Sequence, residues 1–106
     1  VRDYVHVTDL AQAHLLGIER MRHNKGFSAF NLGNGSGFSV LEVIESCERI
    51  VRNKIPYDIA LPREGDPARL VANSAAAMNE IGWQPNFKKI DDIVASAWQW
   101  HNLKVN

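Results

Sequence analysis

Cysteine is almost missing from this chain of 106 residues: Cys47 is the only one. It has no partner for an internal disulfide, which points to a reducing, cytoplasmic compartment. Neither sign of charge is in excess, since twelve Lys+Arg face twelve Asp+Glu and the formal net charge is zero. That balance argues against a nucleic-acid binder held by bulk charge and against a polybasic membrane anchor. Long apolar runs are lacking too. Charges or glycines break every apolar stretch well short of the roughly 20 residues that a membrane span needs. No apolar segment of a secretory signal follows Val1-Arg2-Asp3-Tyr4. The Asn34-Gly35-Ser36 glycosylation pattern therefore reads as a turn. No Met opens the chain, and its first residues look like part of a longer one. What is present suits a globular protein. Hydrophobic residues make up 45%, too many for a disordered tail, and the length allows one domain at most.

The order of elements reads β-α-β-α-β-loop-α-α, which predicts an α/β or α+β class. Residues 4–7 are β-branched and aromatic and read as a strand. Thr8 is placed to cap a helix over 9–22, with Asp9 near its positive end. Ala11, Leu15 and Ile18 fall on one row of that helix, and Leu10, His14, Gly17 and Met21 on the next, giving a broad apolar face. Residues 27–32 predict a second strand. Ser39-Val40-Leu41-Glu42 is a capping box, with Phe38 and Val43 as its hydrophobic staple. The helix it opens carries Val40, Ile44, Cys47 and Val51 on one face, so Cys47 reads as a core residue. Residues 57–61 predict a third short strand, and the two prolines and one glycine of 62–67 dictate a loop. Helices follow over 74–81, stopped by Gly82, and over 90–101, where Ile90, Val94, Ala97 and His101 form a row. Trp83, Trp98 and Trp100 read as packing anchors, because no basic residues interleave with them.

Two segments invite a chemical reading. Gly33-x-Gly35-x-Gly37 follows a strand and precedes a helix, the setting in which backbone amides hold phosphate. Phe38 stands where a dinucleotide fingerprint needs its third glycine, so a turn with positive φ fits better. The 62–67 loop carries Arg63 and Asp66 on a stiff backbone. A guanidinium holds phosphate bidentately, and a carboxylate three residues on suits ribose hydroxyls. The competing reading is a solvated loop in which Arg63 pairs with Asp66 or Glu64. Arg2 and Asp3 are similarly divided between a phosphate contact and a charged terminus. The histidines His6, His14, His23 and His101 lack metal-ligand spacing, which argues against a zinc site. No Gly-x-Ser-x-Gly or Walker loop is present.

Taken together, Arg2-Asp3-Tyr4-Val5-His6-Val7-Thr8-Asp9-Leu10-Ala11, Phe30-Asn31-Leu32-Gly33-Asn34-Gly35, Phe38 to Ile44, Arg63-Glu64-Gly65-Asp66-Pro67-Ala68 and Ile81-Gly82-Trp83-Gln84-Pro85 resemble the extended short-chain dehydrogenase/reductase family. The likeness is to the C-terminal third of its nucleotide-sugar epimerases and covers essentially the whole chain. It implies that residues 1–106 form one C-terminal substrate-binding part: the last Rossmann strand elements plus a small α+β domain. The N-terminal NAD-binding Rossmann domain, which carries a Tyr-x-x-x-Lys pair and the glycine-rich NAD loop, would lie outside these residues. Tyr4 and Tyr57 have no lysine four residues on, so no catalytic residue is expected here and these residues alone would be inactive. The family enzyme would pass a hydride between C4 of the sugar and NAD, interconverting UDP-glucose and UDP-galactose. The resemblance places Arg2 and Arg63 on the diphosphate, Asp66 on the uridine ribose, Glu64 and Gly65 in the same substrate-binding segment, and Leu70 beside the sugar. Leucine is intermediate in size there, which leaves acceptance of N-acetylated sugars open. A homodimer formed through the N-terminal domain is also implied. The alternatives are a decarboxylase or dehydratase of the same family, or a non-catalytic nucleotide-sugar binding module.

Overall fold

Helices carry most of the regular structure. The computed structural model describes residues 1–105 and contains α1 (Val7–His23), α2 (Val40–Val51), α3 (Ala75–Glu80) and α4 (Ile90–Val105). Among the described residues β-pairing is confined to two isolated bridges, both through Arg2: antiparallel to Phe38 and parallel to Leu70. The expected strands over 4–7, 27–32 and 57–61 do not form. A strand needs a neighbour to take its backbone hydrogen bonds. Residues 27–32 and 57–61 have no such partner among the described residues. Residues 4–7 lose their end to α1.

That helix starts two residues earlier than Thr8 predicts, and its cap is His6. The His6 Nδ1 accepts the Thr8 N–H at 3.0 Å. A backbone donor on Nδ1 leaves the Nε2 proton free to donate to Ser96 Oγ on α4, 2.8 Å away. The ring is buried and stacks on Phe87 with centroids 3.9 Å apart. Burial and stacking hold an unusual capping side chain in place where a serine or threonine would be the common choice.

The core gathers around Trp83. Ala13, Ala77 and Trp83 are buried, and Val5, Leu16, Phe30, Leu32 and Ile81 pack against them. The indole Nε1 donates to the Asp9 carbonyl at 2.8 Å. The Asp9 carboxylate in turn accepts the backbone N–H groups of Asn86 at 2.9 Å and Phe87 at 3.0 Å. So the packed stripe of α1 runs through Asp9, Ala13 and Leu16. The expected row is not the buried one, since Leu15, Ile18 and Met21 stay exposed. Trp100 is also exposed, unlike Trp83, and Trp98 is half-buried and stacked on His101. The molecule is a slab of 50 × 40 × 19 Å, too thin to bury both sides of α1.

α2 opens with the predicted capping box: Glu42 N–H donates to Ser39 Oγ at 3.1 Å, and Ser39 N–H to Glu42 Oε1 at 3.0 Å. That pairing holds the Glu42 carboxyl below its usual range, through the Ser39 backbone N–H first and its hydroxyl second. Asp91 at the start of α4 ties the two helices together. It accepts from Ser46 Oγ at 2.5 Å and from Arg49 Nη2 at 2.7 Å. Cys47, on the same helix, is only half-buried.

Candidate functional site

Residues 1–4 lie between two other extended stretches. Arg2 N–H donates to the Phe38 carbonyl at 2.9 Å, Phe38 N–H returns a bond to Arg2 at 2.7 Å, and Leu70 N–H donates to the Val1 carbonyl at 2.8 Å. These bonds fix Arg2 beside the 66–70 segment. Its Nη1 donates to the carbonyls of Val1 at 2.9 Å and Pro67 at 3.0 Å. Its Nη2 donates to Asp66 Oδ1 at 2.8 Å.

The loop itself turns on Gly65, whose φ of +77° favours glycine. Across that turn Asp66 N–H donates to the Arg63 carbonyl at 3.1 Å. Arg63 Nη2 stands 3.7 Å from Asp66 Oδ2, and its side chain is 88% exposed. Asp66 is thus flanked by two guanidiniums, and the expected solvated pairing of Arg63 with Asp66 exists in a loose form. The Arg2–Asp66 pair is the tighter one, and local sequence gives no sign of it because 64 positions separate the two residues. Glu64 and Leu70 are exposed on the same segment. Arg63 is exposed and Arg2 half-buried, and neither of the two grooves described below is lined by Arg2, Arg63 or Asp66.

Asp3 is the residue whose role sequence reading misses. Its carboxylate accepts the N–H groups of Asn34 at 2.7 Å, Gly35 at 3.3 Å and Ala72 at 3.2 Å. It therefore ties the glycine-rich turn and the 70–72 stretch to the segment bearing Arg2. Gly33 belongs to this clasp: a Cβ there would meet the Asp3 carboxylate and the Ala72 methyl well inside contact distance. The turn that invited a phosphate reading spends these amides on a carboxylate of its own chain. The Asn34 and Gly35 amides of this turn are therefore already committed and do not face a pyrophosphate. Asn34 is buried, and its Nδ2 donates to the carbonyls of Phe87 at 3.2 Å and Lys88 at 2.9 Å. That engagement agrees with the turn reading of the glycosylation pattern.

Two open grooves lie elsewhere. The larger, about 520 Å³, runs between α1 and residues 24–32, with Ile18, Met21, Phe27 and Phe30 among its walls. The smaller, about 380 Å³, lies between Gly33, Gly35 and the start of α3.

No protein-family model matches the chain. It is similar to UDP-glucose 4-epimerase of Halalkalibacterium halodurans, with 48% identity over 95% of this chain and 30% of the relative. A crystal structure of a UDP-glucose 4-epimerase superposes with a TM-score of 0.92 at 42% identity, covering 99% of this chain and 32% of that one. The Bifidobacterium longum UDP-glucose 4-epimerase, solved in complex with NAD+ and UDP, gives a TM-score of 0.84 at 40% identity, over 98% of this chain and 30% of that one. The chain thus spans about 30% of the length of the curated relatives it matches, and its fold is that of the corresponding portion of these epimerases.

Proposed function

We propose, from the premise that this chain is homologous to a C-terminal portion of UDP-glucose 4-epimerases, that it is the UDP-sugar-binding part of an enzyme interconverting UDP-glucose and UDP-galactose. The observation that carries the reading is the convergence of Arg2, Arg63 and Asp66 within one exposed cluster, on a chain so similar to those enzymes. Arg2 and Arg63 neutralise the diphosphate, Arg63 with its exposed guanidinium fork and Arg2 through Nη2, since its Nη1 is held by the Val1 and Pro67 carbonyls. Asp66 accepts from the ribose hydroxyls, with Glu64 and Gly65 shaping the same segment. Leu70 lies against the hexose. None of these groups touches the reacting carbon, so binding energy at the nucleotide end is used for positioning.

The open face of the cluster is then closed by sequence outside these residues, which also holds NAD in a Rossmann domain and supplies the Tyr-x-x-x-Lys pair. This assignment rests on the resemblance, and the glycine turn supports it, since its Asn34 and Gly35 amides are already committed to Asp3. The 106 residues by themselves bind and orient but do not catalyse. The parent enzyme is assigned to the cytoplasm, in keeping with a lone, half-buried Cys47, and to a homodimer formed through its N-terminal domain.

In the full-length protein, Arg63→Ala weakens UDP binding by at least ~1.5 kcal/mol, the scale of one hydrogen bond to a charged group. Titration calorimetry measures it. An unchanged UDP affinity would remove the loop from the substrate site.

A further inference from the structure

We propose that Asp66 is the internal counter-ion of the arginine pair, and that its competition for Arg2 makes the site select nucleoside diphosphates over bare phosphate or pyrophosphate. The proposal rests on the reading of this loop as a UDP site. It starts from the way the two partners are held. Arg2 is fixed without Asp66, because its Nη1 donates to the Val1 and Pro67 carbonyls at 2.9 and 3.0 Å. Only its Nη2 is given to Asp66 Oδ1, at 2.8 Å. The Asp66 side chain is 35% exposed, so it can swing into solvent about its own bonds while Arg2 stays in place. Arg63 is more exposed still and reaches Asp66 only at 3.7 Å.

An incoming phosphate oxygen therefore finds its best donor already occupied by a carboxylate. Nη2 carries a second N–H, but an anion that takes it comes close to the Asp66 carboxylate, like charge against like charge. Phosphate binding is therefore opposed while Asp66 stays on Arg2 and favoured once it swings away. For inorganic pyrophosphate the displaced carboxylate gains nothing except water. For a nucleoside diphosphate it gains the ribose hydroxyls, which donate to it and restore what the broken ion pair cost. Once it has moved, one guanidinium remains for each phosphate. The same side chain thus disfavours the small anion and favours the nucleotide, the combination that specificity by difference requires.

The test is calorimetry of the full-length protein with UDP and with inorganic pyrophosphate at fixed ionic strength. Asp66→Asn binds pyrophosphate about tenfold more tightly and UDP about tenfold more weakly, so the preference for UDP falls about 100-fold. Asp66→Ala shows the same gain for pyrophosphate. Asp58→Asn, which removes the same charge from an exposed residue outside the cluster, shows none. A pyrophosphate affinity unchanged in both Asp66 variants overturns the counter-ion role. So does a gain confined to Asp66→Asn, since a new amide donor would explain it, or an equal gain in Asp58→Asn, which would reflect net charge alone. In each case a weakened UDP affinity leaves the UDP site standing. UDP affinity unmoved in both Asp66→Asn and Arg63→Ala is the separate failure of that site.

Discussion

Asp9 and Asp66 are both carboxylates with a partner at each oxygen, hydrogen-bonded at both in Asp9 and at one in Asp66, and they belong to different kinds of region. Asp9 is 2% exposed and accepts from backbone N–H groups of residues 86 and 87. Those donors cannot turn away, and the Trp83 indole above them is fully buried. Asp66 is half-exposed, accepts from the Arg2 guanidinium, and faces that of Arg63 at ion-pair distance only. Those donors have alternatives, water among them. A buried carboxylate bound by backbone amides is part of the framework, because those donors are fixed by the chain and the acceptor itself is cut off from water. A carboxylate bound by exposed cations is exchangeable, because a solvated ion pair is worth little net free energy. The core around Trp83 and the 62–70 loop therefore divide the work: one is built not to move and the other to trade partners.

The sharpest way to break this contrast is to remove each carboxylate and compare stability. Asp9→Ala leaves the Asn86 and Phe87 amides unpaired next to the core, a loss of about 3 kcal/mol. Asp66→Ala changes stability by less than about 1 kcal/mol, as for other exposed pairs. Urea denaturation of the full-length protein measures both. Equal losses in the two variants would mean that the loop is as much framework as the core is.

Asp3 falls between these extremes and tests whether framework and site are joined. It accepts three backbone amides, as a framework residue does, but sits next to Arg2 and across from the stretch leading to Leu70. Asp3→Ala costs about 2 kcal/mol of stability. It also weakens UDP binding, through displacement of Arg2 relative to the loop. Asp3→Asn keeps one acceptor oxygen and recovers part of both losses. An Asp3→Ala protein with reduced stability and wild-type UDP affinity would separate the clasp from the site.

How far these regions could be read from sequence follows the separation of the partners. The capping box of α2 was legible because Ser39 and Glu42 are neighbours whose bonds are local. The charged loop turning on Gly65 was legible for the same reason, as was the helix stop at Gly82, and both glycines have positive φ. The His6 cap was not, because its hold depends on Phe87 and Ser96 from the far end of the chain. The Arg2–Asp66 pair and the Asp3 clasp were hidden likewise. On α1 the broad face expected from Leu10, Ala11, Leu15 and Ile18 left out Ala13 and Leu16, and only the position of Trp83 decides that those two face inward while Leu15 and Ile18 do not. The missing strands have a related cause. Residues 27–32 carry a strand-like composition, but strand is a property of a pair, and no second member stands beside them among the described residues.

The smallest effect comes from the third well-held carboxylate, Asp91, which joins α2 to α4. Its partners are side chains, as at Asp66, but they come from the facing helix and include a buried Ser46. The Arg49 hydrogen bond first and the Ser46 hydroxyl second hold the Asp91 carboxyl below its ordinary value of 3.8. A carboxyl whose pKa is lowered by folding stabilises the fold above the unfolded value and loses that contribution as pH falls through the folded one. The α2–α4 contact therefore keeps its full strength at neutral pH and weakens only in acid, below about 4. In NMR titration, the Asp91 carboxyl of the native protein has a midpoint below the usual aspartate range, and Arg49→Met moves it upward. A midpoint that stays put in Arg49→Met would mean that the buried hydroxyl alone sets the shift. Asp91 would then stand with Asp9, as a carboxylate defined by fixed donors, and not with Asp66.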